Sequence, residues 1–182
     1  DRIDHHYTTS ISTIEIAAGN AAKINAEFKK YFDESNSSGS GAYKAYIIRN
    51  NDPGKVKSLL QLFDRNRISY QYAGKALAVK GYNYHSGKES SYTTSPNDII
   101  VPGAQPKATL VRVLFEPQSK LLDSATYDIT AWSLPYVYGL ETYGLKEKIS
   151  GAGSQAVDKV FKADNSVYGY LVSYSSLADG KI

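Results

Sequence analysis

Cysteine and methionine are both missing from the 182 residues of this chain. Without cysteine there is no disulfide staple, no thiolate zinc site and no thiol nucleophile. The compartment stays open on that ground, because redox context shows only in cysteines that are present. Without methionine the first residue is no initiator, and Asp1 reads as a processing site or the edge of a longer chain. No hydrophobic run nears the roughly 20 residues that cross a bilayer, and no signal peptide is recognisable. Charge of one sign is also lacking. The 21 basic and 18 acidic residues leave a net charge of +3, without the basic stripe of a nucleic-acid module. The densest basic patches, Lys29-Lys30 and Lys55 with Lys57, read as solvated helix faces. Nucleic acid is therefore excluded as an expected partner.

Motifs are equally sparse. The three histidines, His5, His6 and His85, form no HxxE, HExxH or HxH pattern, so no compact zinc site is spelled out. There is no GxSxG nucleophile elbow, no GxGxxG after a strand and no P-loop lysine. Asp123 and Asp128, with Glu116 nearby, are the only carboxylates whose spacing raises glycoside hydrolysis. Helix capping by Asp123 or Ser124 is the plainer reading. No catalytic residue and no metal ligand is assigned.

Tyrosine is the residue in excess, with 16 against 5 Phe and 1 Trp. Its apolar ring and polar tip suit half-buried surfaces and interfaces. Apolar residues at Ile14, Ala17, Ala21, Ile24, Phe28 and Tyr31 alternate steps of three and four, predicting one helix over 10–32 with Thr9 or Ser10 as cap. Gly19 weakens its middle by about 1 kcal/mol relative to Ala. The Ser/Gly-rich stretch 33–41 then reads as a loop or short linker and places the domain boundary there, giving 1–41 and 42–182.

Residues 42–49 are rich in strand formers, Asp52-Pro53 has N-cap and first-turn chemistry, and Val56, Leu59, Leu60 and Phe63 supply a helical stripe. With a strand over 68–72 this predicts a βαβ crossover joining parallel strands. Residues 75–102 read as a long excursion or hairpin, 106–115 and 126–137 as helices, 155–161 as a short helix and 167–173 as a last strand. The expected fold is α/β, an open, mostly parallel sheet with flanking helices, preceded by a long N-terminal helix.

The densest unusual stretch, 122–140, holds Trp132, three tyrosines, a proline and a glycine. Tyr127, Asp128, Trp132 and Tyr136 are its candidate binding residues, and Tyr84 and His85 from the Tyr-rich segment 82–92 join them. These groups make either a wall packed on another domain or an aromatic platform for a glycan or peptide.

TYDITAWSLPYVYGLE (126–141) resembles a recurrent segment in the C-terminal region of large secreted bacterial zinc carboxypeptidases, relatives of carboxypeptidase A. QPKATLVRVLFEPQSKLLDS (105–124) is similar to the same region, and YTTSISTIEIAAGNAAKINAEFKKYF (7–32) to the helix that leaves the peptidase domain. The resemblance implies a secreted, periplasmic or cell-surface protein. It implies an upstream peptidase domain holding the zinc and serving as this chain's partner, and a glutamine-amidotransferase-like α/β extension. The family's HxxE pair, later His and catalytic Glu match no position here. No cofactor is expected in this chain, and the cysteine that an amidotransferase requires is absent. The expected role is a non-catalytic accessory domain beside the peptidase; a glycan- or peptide-binding module and a hydrolase using Asp123 or Asp128 are the rivals.

Overall fold

The structure, a computed structural model, describes residues 1–118, 133–149 and 151. Its centre is β1 (Ala45–Ile48), whose four residues are all buried. Successive side chains of a strand point to opposite faces, and both faces are occupied here. Tyr46 and Ile48 join one cluster with Val56, Leu59, Phe63, Val111 and Phe115. Ala45 and Ile47 join a second cluster with Ala73, Ile100, Tyr143 and Leu145. Burying side chains of this size contributes about 1.5–3 kcal/mol each.

Both edges of β1 are paired as well. β5 (Ile99–Pro102) lies on one side, with Ile47 opposite Ile100, and β6 (Thr142–Leu145) on the other, with Ile47 opposite Tyr143. β2 (Gln71–Tyr72) pairs with the outer edge of β5, and β3 (Ala78–Asn83) with β6. β4 (Lys88–Thr93) completes a hairpin with β3. The order is β2-β5-β1-β6-β3-β4, and every neighbouring pair is antiparallel.

The sheet therefore corrects the expectation of an open, mostly parallel sheet of the glutamine-amidotransferase type. The local reading between β1 and β2 has a counterpart. Asp52 caps α3 (Pro53–Asn66) by accepting from the Lys55 amide at 3.2 Å, and β1 and β2, each antiparallel to β5, run the same way. The two strands are not neighbours, however, because β5 is inserted between them. An apolar run such as 98–101 has the same hydrophobic content in either direction, so periodicity does not reveal the insertion.

The helices α3, α4 (Ala108–Phe115) and the single turn α5 (Leu134–Tyr138) supply the first cluster through Val56, Leu59, Phe63, Val111, Phe115 and Leu134. Phe115 stacks on Tyr46 with ring centroids 4.6 Å apart and meets Phe63 at 6.0 Å. The helix expected over 126–137 enters the described residues only as α5. The helix expected over 155–161 and the strand over 167–173 lie outside them.

The N-terminal arm also departs from expectation. Two helices, α1 (Arg2–Gly19) and α2 (Ala21–Ser37), take the place of one, meeting at Asn20, whose φ and ψ are −111° and 16°. Gly19 marks the break, consistent with its low helix propensity. Thr9 is no cap: it lies inside α1, where its hydroxyl donates to the His5 carbonyl at 2.8 Å. Helix α2 runs through residues 33–37, which composition placed in a loop. Its end is held to the body: Tyr31 Oη donates to Thr109 Oγ1 at 3.0 Å, and the Gln105 amide to the Ser35 carbonyl at 3.0 Å. Beyond it Gly39, at φ +70°, passes so close to Gly103 that an added Cβ would lie 2.6 Å from its carbonyl oxygen.

Helix α1 has no buried residue and α2 only Ser35. Tyr7, Ile14, Ala21 and Phe28 recur every seven residues, and Ile3, Ala17, Ile24 and Tyr31 fall on the interleaved positions. All are exposed, Ile3 at 76% and Phe28 at 66%. A ridge of this period is the kind that packs against another helical surface.

Core and arm should respond differently to truncation. Phe63→Ala is expected to lower the unfolding free energy of this chain by about 3–5 kcal/mol in urea titration, and Phe28→Ala by under about 1 kcal/mol. Equal losses would contradict this division of core from arm.

Candidate functional site

Three loops meet at one end of the sheet. The first leaves β1 at Arg49 and carries Asn50 and Asn51. The second is the β3–β4 turn, carrying Tyr84 and His85. The third leads from α5 through Gly139 to Glu141 at the start of β6. Between them lies a cleft of about 480 Å³, lined by Asn51, Tyr84, His85, Pro135, Tyr136, Gly139, Leu140 and Glu141.

Local chemistry fixes each loop. The Asn83 side chain accepts from the amides of His85 at 2.7 Å and Ser86 at 3.2 Å, an Asx-type turn. Gly87 completes the turn at φ +67°. The first loop is held by Asp98, just before β5, which is 1% exposed and accepts from the Asn50 amide at 3.0 Å, the Ser95 amide at 2.7 Å and Tyr92 Oη at 2.7 Å. A buried carboxylate with three donors is satisfied and ties Asn50 to the strand β5. On the third, Pro135 sits in the first turn of α5, and Gly139 ends it in the left-handed region at φ +59°.

Glu141 is the best-anchored charge of the cleft. Arg49 Nη1 donates to its Oε2 at 2.8 Å, and Tyr143 Oη to its Oε1 at 2.5 Å. The Tyr143 hydrogen bond first, and then the Arg49 guanidinium, hold this carboxyl below the usual range. Burial, reinforced by the hydrogen bond to Glu141, pushes the Tyr143 hydroxyl up to about 12. Behind them Tyr143 stacks on Tyr92 with centroids 4.6 Å apart, and the Arg49 guanidinium lies 5.8 Å from the Tyr92 ring centre.

The aromatic wall comes from two elements. Tyr84 is buried and donates its hydroxyl to the Phe115 carbonyl, and burial raises that hydroxyl far above its ordinary value. Its ring lies 5.5 Å from Tyr136 and 5.4 Å, edge to face, from Tyr82. Tyr136 remains 48% exposed. Burial, together with a hydrogen bond shared with Tyr82, raises its hydroxyl to about 12.

Of the residues singled out in the sequence, the structure brings Tyr84, His85 and Tyr136 to one cleft. Tyr127, Asp128 and Trp132 lie outside the described residues, as does Asp123. Sequence reasoning missed Asn51, Glu141 and the supporting Arg49 and Tyr143. Glu141 closes the segment 126–141, but no motif distinguishes it. Among the described residues no group of three or more His, Cys, Asp or Glu is placed to hold a metal. His5 and His6 are consecutive on α1 and do not share a face. No protein-family model, curated protein or solved structure matches the chain.

Because the Glu141 carboxyl is depressed in the folded state, its contribution to stability is present above the ordinary carboxylate range and is lost as pH falls through the depressed value. Tyr143→Phe keeps the packed ring and removes the largest cause. The Glu141 midpoint in a carboxyl-detected NMR titration is expected to rise toward the ordinary range, with loss of part of the stability contributed at neutral pH. An unchanged midpoint would show that the hydroxyl does not set it.

Proposed function

We propose that the chain is a non-catalytic accessory domain of a secreted zinc metallocarboxypeptidase, seated against the peptidase domain and shaping access to its substrate. The observation that carries this reading is the arm. The apolar rows of its two helices, between Ile3 and Tyr31, are exposed, and they lie in the segment that resembles the helix leaving the peptidase domain. A ridge of seven-residue period has more to gain from a protein surface than from water.

Two further observations support the reading. Residues 105–118 of the resembling region, which include α4, and 133–141, which include α5, pack under the sheet as parts of one body. The polar groups behind the cleft are engaged in structural bonds: Arg49 and Tyr143 donate to Glu141, and the Asn83 side chain accepts from the amide of His85 and fixes its turn. In this reading zinc and the peptide-cleaving groups belong to the peptidase domain. Among the described residues no helix is long and apolar enough to cross a membrane.

Purified 1–182, supplied with zinc, is expected to release no C-terminal amino acid from peptides, whereas the gene product that includes an upstream HxxE and a later His releases them. Ile14→Asp with Phe28→Asp in that longer protein is expected to increase proteolytic cleavage between the two domains. Release of C-terminal residues by 1–182 alone, or a reading frame without the zinc motif, would overturn the proposal.

A further inference from the structure

The cleft has a chemistry that the accessory role does not require. We propose that the cleft framed by Tyr136, His85, Asn51 and Glu141 binds a neutral carbohydrate chain.

Tyr136 is half exposed on a single helical turn, yet it is packed from behind by the Tyr84 ring at 5.5 Å. Such a ring offers a fixed apolar face with little rotamer freedom left to lose on binding. A sugar ring presents the matching surface, an apolar C–H face edged by hydroxyls.

A carboxylate has about four lone-pair sites, and Glu141 shows one protein donor on each oxygen. Both oxygens are held in place and each keeps acceptor capacity for a ligand hydroxyl. Asn51 and His85, exposed beside it, add a side-chain amide and an imidazole. Groups of this kind match hydroxyls that both donate and accept.

Arg49 is paired with Glu141, and Lys55 with Asp52 at 3.3 Å. Among the described residues the Arg, Lys, Asp and Glu charges around the mouth cancel in pairs, which favours a neutral ligand over a charged one. A peptide strand is disfavoured for another reason. The sheet edges at the cleft are already used, with the Arg49 amide bonded to the Glu141 carbonyl at 2.9 Å and the Tyr84 amide to the Thr142 carbonyl at 3.0 Å. Adding a strand needs a free edge. The volume sits toward the lower part of the range of small-molecule sites and takes on the order of one or two sugar rings.

The test uses purified 1–182 on an immobilised panel of short cello-, manno-, malto- and chito-oligosaccharides, with oligogalacturonate and a peptide library as charged and polypeptide controls. Retention of a neutral oligosaccharide is expected. Tyr136→Ala and Glu141→Gln should each weaken it by about tenfold or more in calorimetric titration, about 1.4 kcal/mol per tenfold, with the thermal melt of Tyr136→Ala unchanged. Ile14→Asp with Phe28→Asp on the arm should leave retention unaltered, which separates this site from the docking role of the arm. Absence of neutral-glycan retention, capture of only the acidic glycan or peptides, or binding indifferent to Tyr136→Ala would each overturn the proposal.

Discussion

Strand β1 is enclosed on four sides. Helices α3 and α4 cover one face through Tyr46 and Ile48, the second cluster covers the other through Ala45 and Ile47, and β5 and β6 pair with its two edges. A strand in that position leaves its backbone groups no solvent partner, so each neighbour must arrive in register. Ile47 stands between Ile100 and Tyr143, and moving either neighbouring strand by one residue would turn its core side chains to the wrong face. The rest of the molecule follows from this constraint: α3 carries the chain away so that it can return as β2 on the far side of β5, and the β3–β4 hairpin extends the sheet beyond β6.

The same constraint makes the cleft. With β1 and β6 locked in register, Arg49 at the end of one strand and Glu141 before the other are brought into contact, joined by both a backbone bond and an ion pair. The pairing of β3 with β6 sets Asn83 beside Tyr143 and delivers Tyr84 and His85 to the same rim. The site is thus a product of sheet register. Its residues come from three separate stretches, 49–51, 83–85 and 135–141, and share no sequence spacing. The arm contributes almost nothing to this core: its apolar residues are exposed and only Ser35 is buried.

Much of the local structure was legible from residue types. Asp52 and Pro53 marked the start of α3 because cap and first-turn chemistry are local, and the strand-forming residues around Tyr46 and Ile47 marked β1. Sheet direction was not legible. The run ending in Val101 has the hydrophobicity of a buried strand whichever way it points, and only pairing shows that β5 lies between β1 and β2. The end of α2 was hidden for a similar reason: Ser35 sits in a Ser-rich stretch that reads as coil, yet it is buried where α2 meets α4 and its carbonyl is bonded to Gln105. In the cleft, Tyr84, His85 and Tyr136 stood out as an aromatic excess. Glu141 and Asn51 did not, because a carboxylate and an amide acquire meaning there only once the strands align.

The most direct measurement is the set of cross-strand backbone contacts of β1 by NMR. The account predicts nuclear Overhauser effects linking Ile47 with both Ile100 and Tyr143, and Tyr46 with Val101 and Gly144, in the antiparallel pattern. Contacts joining β1 directly to Gln71 and Tyr72 as a parallel neighbour, with none to Ile100, would contradict it.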